Sequence, residues 1–348
     1  MNAQRSSDSV SASSWRSARL FVTDEFAAPP VILRVDDSVI GTLGNFSAST
    51  GKAKSKKTFN VCAIVAAAMT GGTVLNYSAS LPPERRRILY VDTEQSRFHC
   101  KRVLCRILRL AGLPTDVHPP LLEFLCLRGY ATKERLRKIE EAIYDLDDLG
   151  LVVIDGIRDL AHDINSPGEA TDLITKLMQW TDERRIHIHT VLHLNKGDDN
   201  TRGHLGTELN NKAETVLQIT KDDFDRDISS VAAMHIRDRD FEPFAFRINA
   251  DALPEQVEDY QLRQTTAAKS FDYAEVCEAK HREALELLFS KADRVSYSSL
   301  IGRLQCSYAA IGHSFGINKA KQLKVFLENK RMIVKEDKFY RYNPDFHY

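Results

Sequence analysis

The chain predicts an α/β fold built on a mostly parallel sheet, and three observations carry that prediction. Short apolar runs alternate with longer helical stretches from about residue 30 to residue 220, the pattern of repeated strand–helix–strand units. The run Leu151-Val152-Val153-Ile154 is apolar at every position, as a strand covered on both faces must be. A lysine-rich loop from Gly51 to Thr58 stands between a strand and an apolar helix.

Taken in order, residues 1–17 are Ser-rich and polar and read as a tail. Val31-Ile32-Leu33 and Phe46-Ser47-Ala48 read as strands. Thr58 to Met69 reads as a helix stopped by Gly71-Gly72, since glycine ends helices readily. A strand over Arg87–Val91 precedes a basic amphipathic helix over Arg97–Leu110, which ends at Ala111-Gly112-Leu113-Pro114. A helix over Lys133–Leu146 leads into the apolar strand 151–154. Thr171–Thr181 is helical, and Ile186–Leu194 and Thr215–Ile219 are strands. Val231–Ile236 and Phe244–Ile248 have no helix between them and predict a closing hairpin. The α/β core is thus expected over residues 18–250 and a polar linker over 251–270. The remainder, 271–348, shows helical stretches near 273–290, 296–304 and 317–329. Strands Met332–Val334 and Phe339–Tyr342 follow around a charged turn, the outline of a winged helix.

Composition sets bounds on function. Hydrophobic residues make up 43% and charged residues 28%, and the formal net charge is zero. No global field therefore draws the chain to nucleic acid or membrane, and any such affinity must be local. The longest apolar run, Val61 to Met69, is too short to span a bilayer. The N-terminus has no apolar core of a signal peptide, so a cytoplasmic location is expected. The six cysteines form no Cys-x-x-Cys pair and read as reduced thiols rather than a zinc site. His187, His189 and His193 alternate along one strand and read as strand positions, because no carboxylate or cysteine follows at ligand spacing.

The chemistry-bearing residues fall at strand ends. Gly51-Lys52-Ala53-Lys54-Ser55-Lys56-Lys57-Thr58, followed by Phe59, has the spacing of a phosphate loop, G-x-x-x-x-G-K-[ST]. In such loops backbone N–H groups at a helix N-terminus cradle phosphates, the lysine reaches the terminal phosphate and the hydroxyl holds Mg²⁺. Lys57 and Thr58 fill those two roles. The alternative frame, with Lys52 as the phosphate lysine, fails because Ala53 cannot ligate a metal. Lys56 replaces the usual second glycine; it either strains the loop backbone or adds positive charge beside the phosphates. Asp155 ends the buried strand, the edge where a parallel sheet meets its nucleotide, and is placed to hold Mg²⁺. It is followed by Gly156, whereas AAA+ proteins typically carry a catalytic Glu there. Ile88 to Ser96 is a second strand ending in acids, Asp92-Thr93-Glu94.

A phosphate loop, a following strand ending in D-x-E, a strand ending in a lone Asp and a fourth strand ending in polar residues resemble the RecA-like ATPases. Within them the chain is similar to the RepA-type hexameric helicases and the AAA_25 family of plasmids and mobile elements, over roughly residues 30–250. The resemblance implies ATP and Mg²⁺ as cofactors and Glu94 as the general base for the attacking water. It implies His193 and Asn195 as γ-phosphate sensors, with Lys196 and Arg202 contacting DNA in the loop beyond. Arg237 and Arg239 match the arginine-finger pair that such hexamers project into a neighbour's site, or they pair with Asp238, Asp240 and Glu242. It further implies a ring or filament, hexameric by family habit, acting on DNA that is single-stranded at the core.

The C-terminal stretch adds its own signal. From 300 to 341 there are nine Lys/Arg against three acids, a local excess suited to phosphates. Residues 314–321 can open a recognition helix, with Lys319, Lys321 and Lys324 toward DNA and Lys335 and Lys338 on the wing. Winged helices also serve as protein–protein modules. Three readings stand: a DNA motor or helicase of replication or transfer of a mobile element, an ATP-switched DNA-binding regulator, and a purely structural fold that binds no nucleotide.

Overall fold

The computed structural model describes residues 14–194, 203–222, 225–258, 260, 273–274 and 276–346. The chain divides into two compact units, Met1–Leu262 and Arg263–Tyr348.

In the first unit, β1 (Val31–Val35) and β2 (Ser38–Thr42) form a hairpin ahead of β3 (Phe46–Gly51), which runs into α1 (Lys57–Thr70). Short strands β4 (Thr73–Val74) and β5 (Tyr77–Ala79) follow, then β6 (Arg87–Asp92), α2 (Arg97–Leu110), β7 (Leu122–Cys126) and α3 (Thr132–Asp145). After these come β8 (Leu149–Asp155), α4 (Pro167–Arg184), β9 (His187–His193), α5 (Gly203–Lys212) and β10 (Thr215–Lys221). The unit closes with β11 (Ile228–Ile236), β12 (Phe244–Ile248) and β13 (Pro254–Val257).

The main sheet has the order β13-β12-β11-β10-β3-β9-β8-β6-β7. Every pairing from β10 to β7 is parallel, and β11 to β13 are added antiparallel. This is an α/β fold with a large, mostly parallel sheet. Strand β3, which feeds the phosphate loop, lies between β10 and β9. Strand β8 is buried at every position, which explains its uninterrupted apolar sequence. Helix α1 is buried along almost its whole length, so it has no polar face to display. It stops where Gly71 takes φ +64° and its N–H bonds Ala67 O, a left-handed cap glycine supplies without strain.

A second sheet, β2-β1-β5-β4, packs beside α1. One apolar core joins it to α1, α2 and one face of the main sheet, while α3, α4 and α5 build a second core on the opposite face.

One expectation needs correction. The polar stretch 251–270 is not linker from its start: β13 pairs with β12 from Ile248↔Pro254 to Ala245↔Val257.

The second unit contains α6 (Glu278–Phe289), β14 (Val295–Ser296), α7 (Tyr297–Ala310), α8 (Ile317–Asn329), β15 (Ile333–Glu336) and β16 (Phe339–Tyr342). Its three-stranded sheet has the order β14-β16-β15. Leu285, Leu300, Leu304, Leu323, Leu327 and Tyr308 fill a core of its own.

Candidate nucleotide site

The C-terminal ends of β3, β6, β8 and β9 bring Gly51, Asp92, Asp155 and His193 to one edge of the sheet, because parallel neighbours end on the same side. Between β3 and α1 the loop turns through left-handed backbone at Lys54 (φ +66°) and Lys56 (φ +67°). Backbone alternating through that region forms an N–H concavity suited to an anion. Gly51 is required by close approach, since a Cβ there would lie 2.3 Å from Ile219 O and 2.5 Å from Ser55 Oγ. Ser55 Oγ is buried within the loop and has no partner among the described residues. A buried hydroxyl left unsatisfied asks for a polar ligand.

Lys57 is 6% exposed, and its ammonium donates to Gly51 O (2.8 Å), Lys52 O (2.9 Å) and His193 Nδ1 (3.1 Å). Burial lowers its pKa to about 8, against the pull of Asp155 and Glu94. It is still mostly a cation at neutral pH. Because Nδ1 of His193 accepts from a lysine, Nε2 carries the proton and faces Glu94 Oε1 at 3.5 Å. That contact, foremost among several, holds the Glu94 carboxyl below its ordinary range. Glu94 is therefore a carboxylate, linked through one imidazole to the loop lysine.

Thr58 Oγ1 donates to Asp155 Oδ2 at 2.9 Å, and Tyr90 OH donates to the same oxygen at 3.0 Å. Burial, with Asp92 nearby, raises the pKa of Asp155 to about 6. A hydroxyl and a carboxylate in contact at a phosphate loop are the hard oxygen donors that Mg²⁺ prefers. These residues fit MgATP: Thr58 and Asp155 for the cation, Lys57 and the loop N–H groups for the phosphates.

The shelf carrying Glu94 is built by its neighbours. Asp92 accepts from the N–H groups of Glu94 (3.0 Å) and Gln95 (2.7 Å) and from Gln95 Nε2 (2.8 Å). The Thr93 hydroxyl lies 2.9 Å from Gly156 O. Gly156 has φ +104°, and a Cβ there would fall 2.2 Å from Thr93 Oγ1. A side chain at 156 would therefore push on Thr93 and Glu94. The cleft, of about 370 Å³, continues past Phe59 along α2, where His99, Arg102 and Arg106 line it. The Arg106 guanidinium lies 3.8 Å from the Phe59 ring centroid. Sequence reading missed the part Tyr90 plays, together with Arg102 and Arg106; the basic, acid-free sequence of α2 was the signal for the two arginines.

Lys56 lines the cleft, but its ammonium turns to the β10–β11 turn, donating to Asp227 O (2.5 Å) and Arg226 O (3.4 Å). Other expected residues lie elsewhere. Arg237 and Arg239 are not brought to this site within the chain. The Thr215↔Ile236 pairing puts them at the opposite edge of the sheet, where Arg237 bonds Lys212 O and Arg239 pairs with Asp37. Asn195, Lys196 and Arg202 lie outside the described residues. In the second unit Lys321, Lys335 and Lys338 are exposed. Lys324 pairs with Glu328, and the Lys319 ammonium sits 4.9 Å from the Tyr273 ring centroid.

Loop, buried lysine and the hydroxyl–carboxylate pair form a phosphate-loop site at the C-terminal edge of a mostly parallel sheet. A family model described as AAA domain, AAA_25, matches residues 16–199, more than half of the chain, and the chain belongs to that family. Among solved structures it is similar to one titled as the RadB recombinase, at 16% identity and a TM-score of 0.44, covering 62% of this chain and 92% of that one. No curated protein matches the chain. No helix among the described residues is long and apolar enough to cross a membrane.

Proposed function

We propose that the protein hydrolyses MgATP at this cleft and couples hydrolysis to DNA. The observation that carries the reading is the connected set Lys57–His193–Glu94 beside Thr58–Asp155. When bound, Mg²⁺ would neutralise phosphate charge between Thr58 and Asp155. Lys57 leaves its loop carbonyls for the terminal phosphate. Glu94 orients the attacking water and accepts its proton, and His193 reports the state of Lys57 to Glu94.

The C-terminal unit, residues 271–348, is read as a winged helix with α8 as its recognition helix and β15–β16 as the wing. Its exposed Lys321, Lys335 and Lys338 support contact with DNA phosphates. As arginine fingers, Arg237 and Arg239, remote from their own chain's cleft, would serve a neighbouring copy. This favours a ring or filament, a hexamer by family habit, and with it a helicase or motor on single-stranded DNA in a mobile element. The second reading, an ATP-switched DNA-binding regulator, draws on Lys56, which stands where such loops usually carry glycine.

DNA-stimulated ATPase activity is the test. Stimulation by single-stranded DNA together with strand displacement supports the motor. Nucleotide-dependent DNA binding without displacement supports the regulator.

A further inference from the structure

Lys56 stands where phosphate loops usually carry glycine, and its backbone takes the glycine-like conformation, φ +67° and ψ +28°. Non-glycine residues rarely occupy that region unless surrounding structure holds them there. What holds this one lies 170 residues away in sequence. The Lys56 ammonium reaches two consecutive carbonyls, Arg226 O and Asp227 O, in the β10–β11 connection. Asp227 and Asp225 add attraction.

The described residues of that connection are held by short aspartate bonds. Asp225 N donates to Asp222 Oδ1 at 2.8 Å and Asp227 N to Asp225 Oδ1 at 2.9 Å, while Asp222 N donates to Ile228 O at 3.1 Å. Tyr260 OH donates to Asp222 Oδ2 at 3.0 Å. The anchor is therefore a built turn, and Lys56 O accepts from Phe59 and Asn60 N–H at the start of α1.

We infer that Lys56 is a positioning residue that ties the phosphate loop to the β10–β11 turn and so holds the loop ready for nucleotide, without touching phosphate itself. This rests on the ATP reading of the loop. A loop fixed in its binding shape loses less freedom on binding, so affinity rises without any new ligand contact. The same logic predicts which ligands feel the tether. The loop N–H groups serve ATP and ADP alike, so both lose affinity when the tether is cut. A γ-phosphate contact would affect ATP alone.

The test uses the full chain with Lys56→Asn, which tolerates left-handed backbone but cannot span to the turn, and Lys56→Arg, which keeps long donors. Hydrogen exchange is first measured on nucleotide-free protein. Amides of residues 225–230 should exchange about tenfold faster in Lys56→Asn, the scale of one net hydrogen bond, and return toward native rates in Lys56→Arg. ATP and ADP should then both bind about tenfold more weakly to Lys56→Asn, and both affinities should recover in Lys56→Arg. Exchange at 225–230 that does not respond to Lys56→Asn overturns the tether. Loss of ATP affinity with ADP unaffected also overturns it and makes Lys56 a phosphate contact. If the native protein binds neither nucleotide, the ATP reading fails, while the exchange measurement still decides whether the tether exists.

Discussion

Replacing Gly156 with Ala probes how closely the Glu94 shelf packs against the residue after Asp155. The backbone there, φ +104° and ψ +49°, is one that L-residues rarely adopt, and forcing alanine into left-handed geometry costs about 1–2 kcal/mol. The new methyl would lie 2.2 Å from Thr93 Oγ1 and 3.0 Å from Glu94 Cγ, so the Glu94 shelf must shift. Overpacking of that kind costs about 1–3 kcal/mol. Reduced freedom of the unfolded chain returns about 0.4–1 kcal/mol. The net loss is about 1–5 kcal/mol. Gly112→Ala is the control, because Gly112 is also left-handed (φ +67°) but has nothing within 4 Å of its Cβ direction. It should cost only about 1 kcal/mol, from the same two backbone effects. Denaturant unfolding of both variants reads the difference, which isolates the collision. Turnover provides a second readout, since displacing a catalytic group by about 1 Å costs roughly a hundredfold. Equal stability losses for the two variants, with turnover unchanged in Gly156→Ala, would refute this account of the shelf.

Further expectations follow from the same geometry. Glu94→Gln should bind MgATP normally and turn over about 10²–10⁴ times more slowly, the range for a lost general base; steady-state rates near native would move that role elsewhere. His189, fully buried beside Ser47 and Ser49, has its pKa lowered to about 3 by burial and by His187. The unfolded imidazole takes up its proton near pH 6.5, so stability is constant above that and falls as pH drops from about 6.5 toward 3. The loss reaches about 3 kcal/mol at pH 4.5. Because Asp155, raised to about 6, contributes with opposite sign over part of this range, the difference between native and His189→Leu stabilities should follow that slope, and a difference independent of pH from 7.5 to 4.5 would sink the argument. Mixing Arg239→Ala or Arg237→Ala subunits with Lys57→Ala subunits should restore some ATPase activity if fingers act between copies; no rescue despite subunit exchange, with native protein monomeric by light scattering, speaks against shared sites.

Much of the site was legible because its residues sit at fixed offsets from regular elements. Lys57 and Thr58 open an apolar helix, and Asp155 ends a strand that the core covers on both faces. Glu94 follows the next strand in chain order, so its register could be read. What escaped depends on pairings distant in sequence. Strands of two to five residues, such as β2, β4, β5 and β7, carry too few alternations to register as a pattern. Strand β13 is polar, Pro-Glu-Gln-Val, and is a strand because β12 offers it a backbone edge. The target of Lys56 lies in a turn with no motif. The remoteness of Arg237 and Arg239 from the cleft follows from the antiparallel β10–β11 pairing, which spacing alone does not reveal.

The central claim is that the loop from Gly51 to Thr58, with Asp155, binds MgATP. Isothermal calorimetry on the native full chain tests it directly. The account predicts saturable, Mg²⁺-dependent ATP binding that Lys57→Ala weakens severely, because no other ammonium among the described residues is bound to the loop carbonyls Gly51 O and Lys52 O. Absence of any ATP affinity in the native protein, or equal affinity in Lys57→Ala, would contradict it.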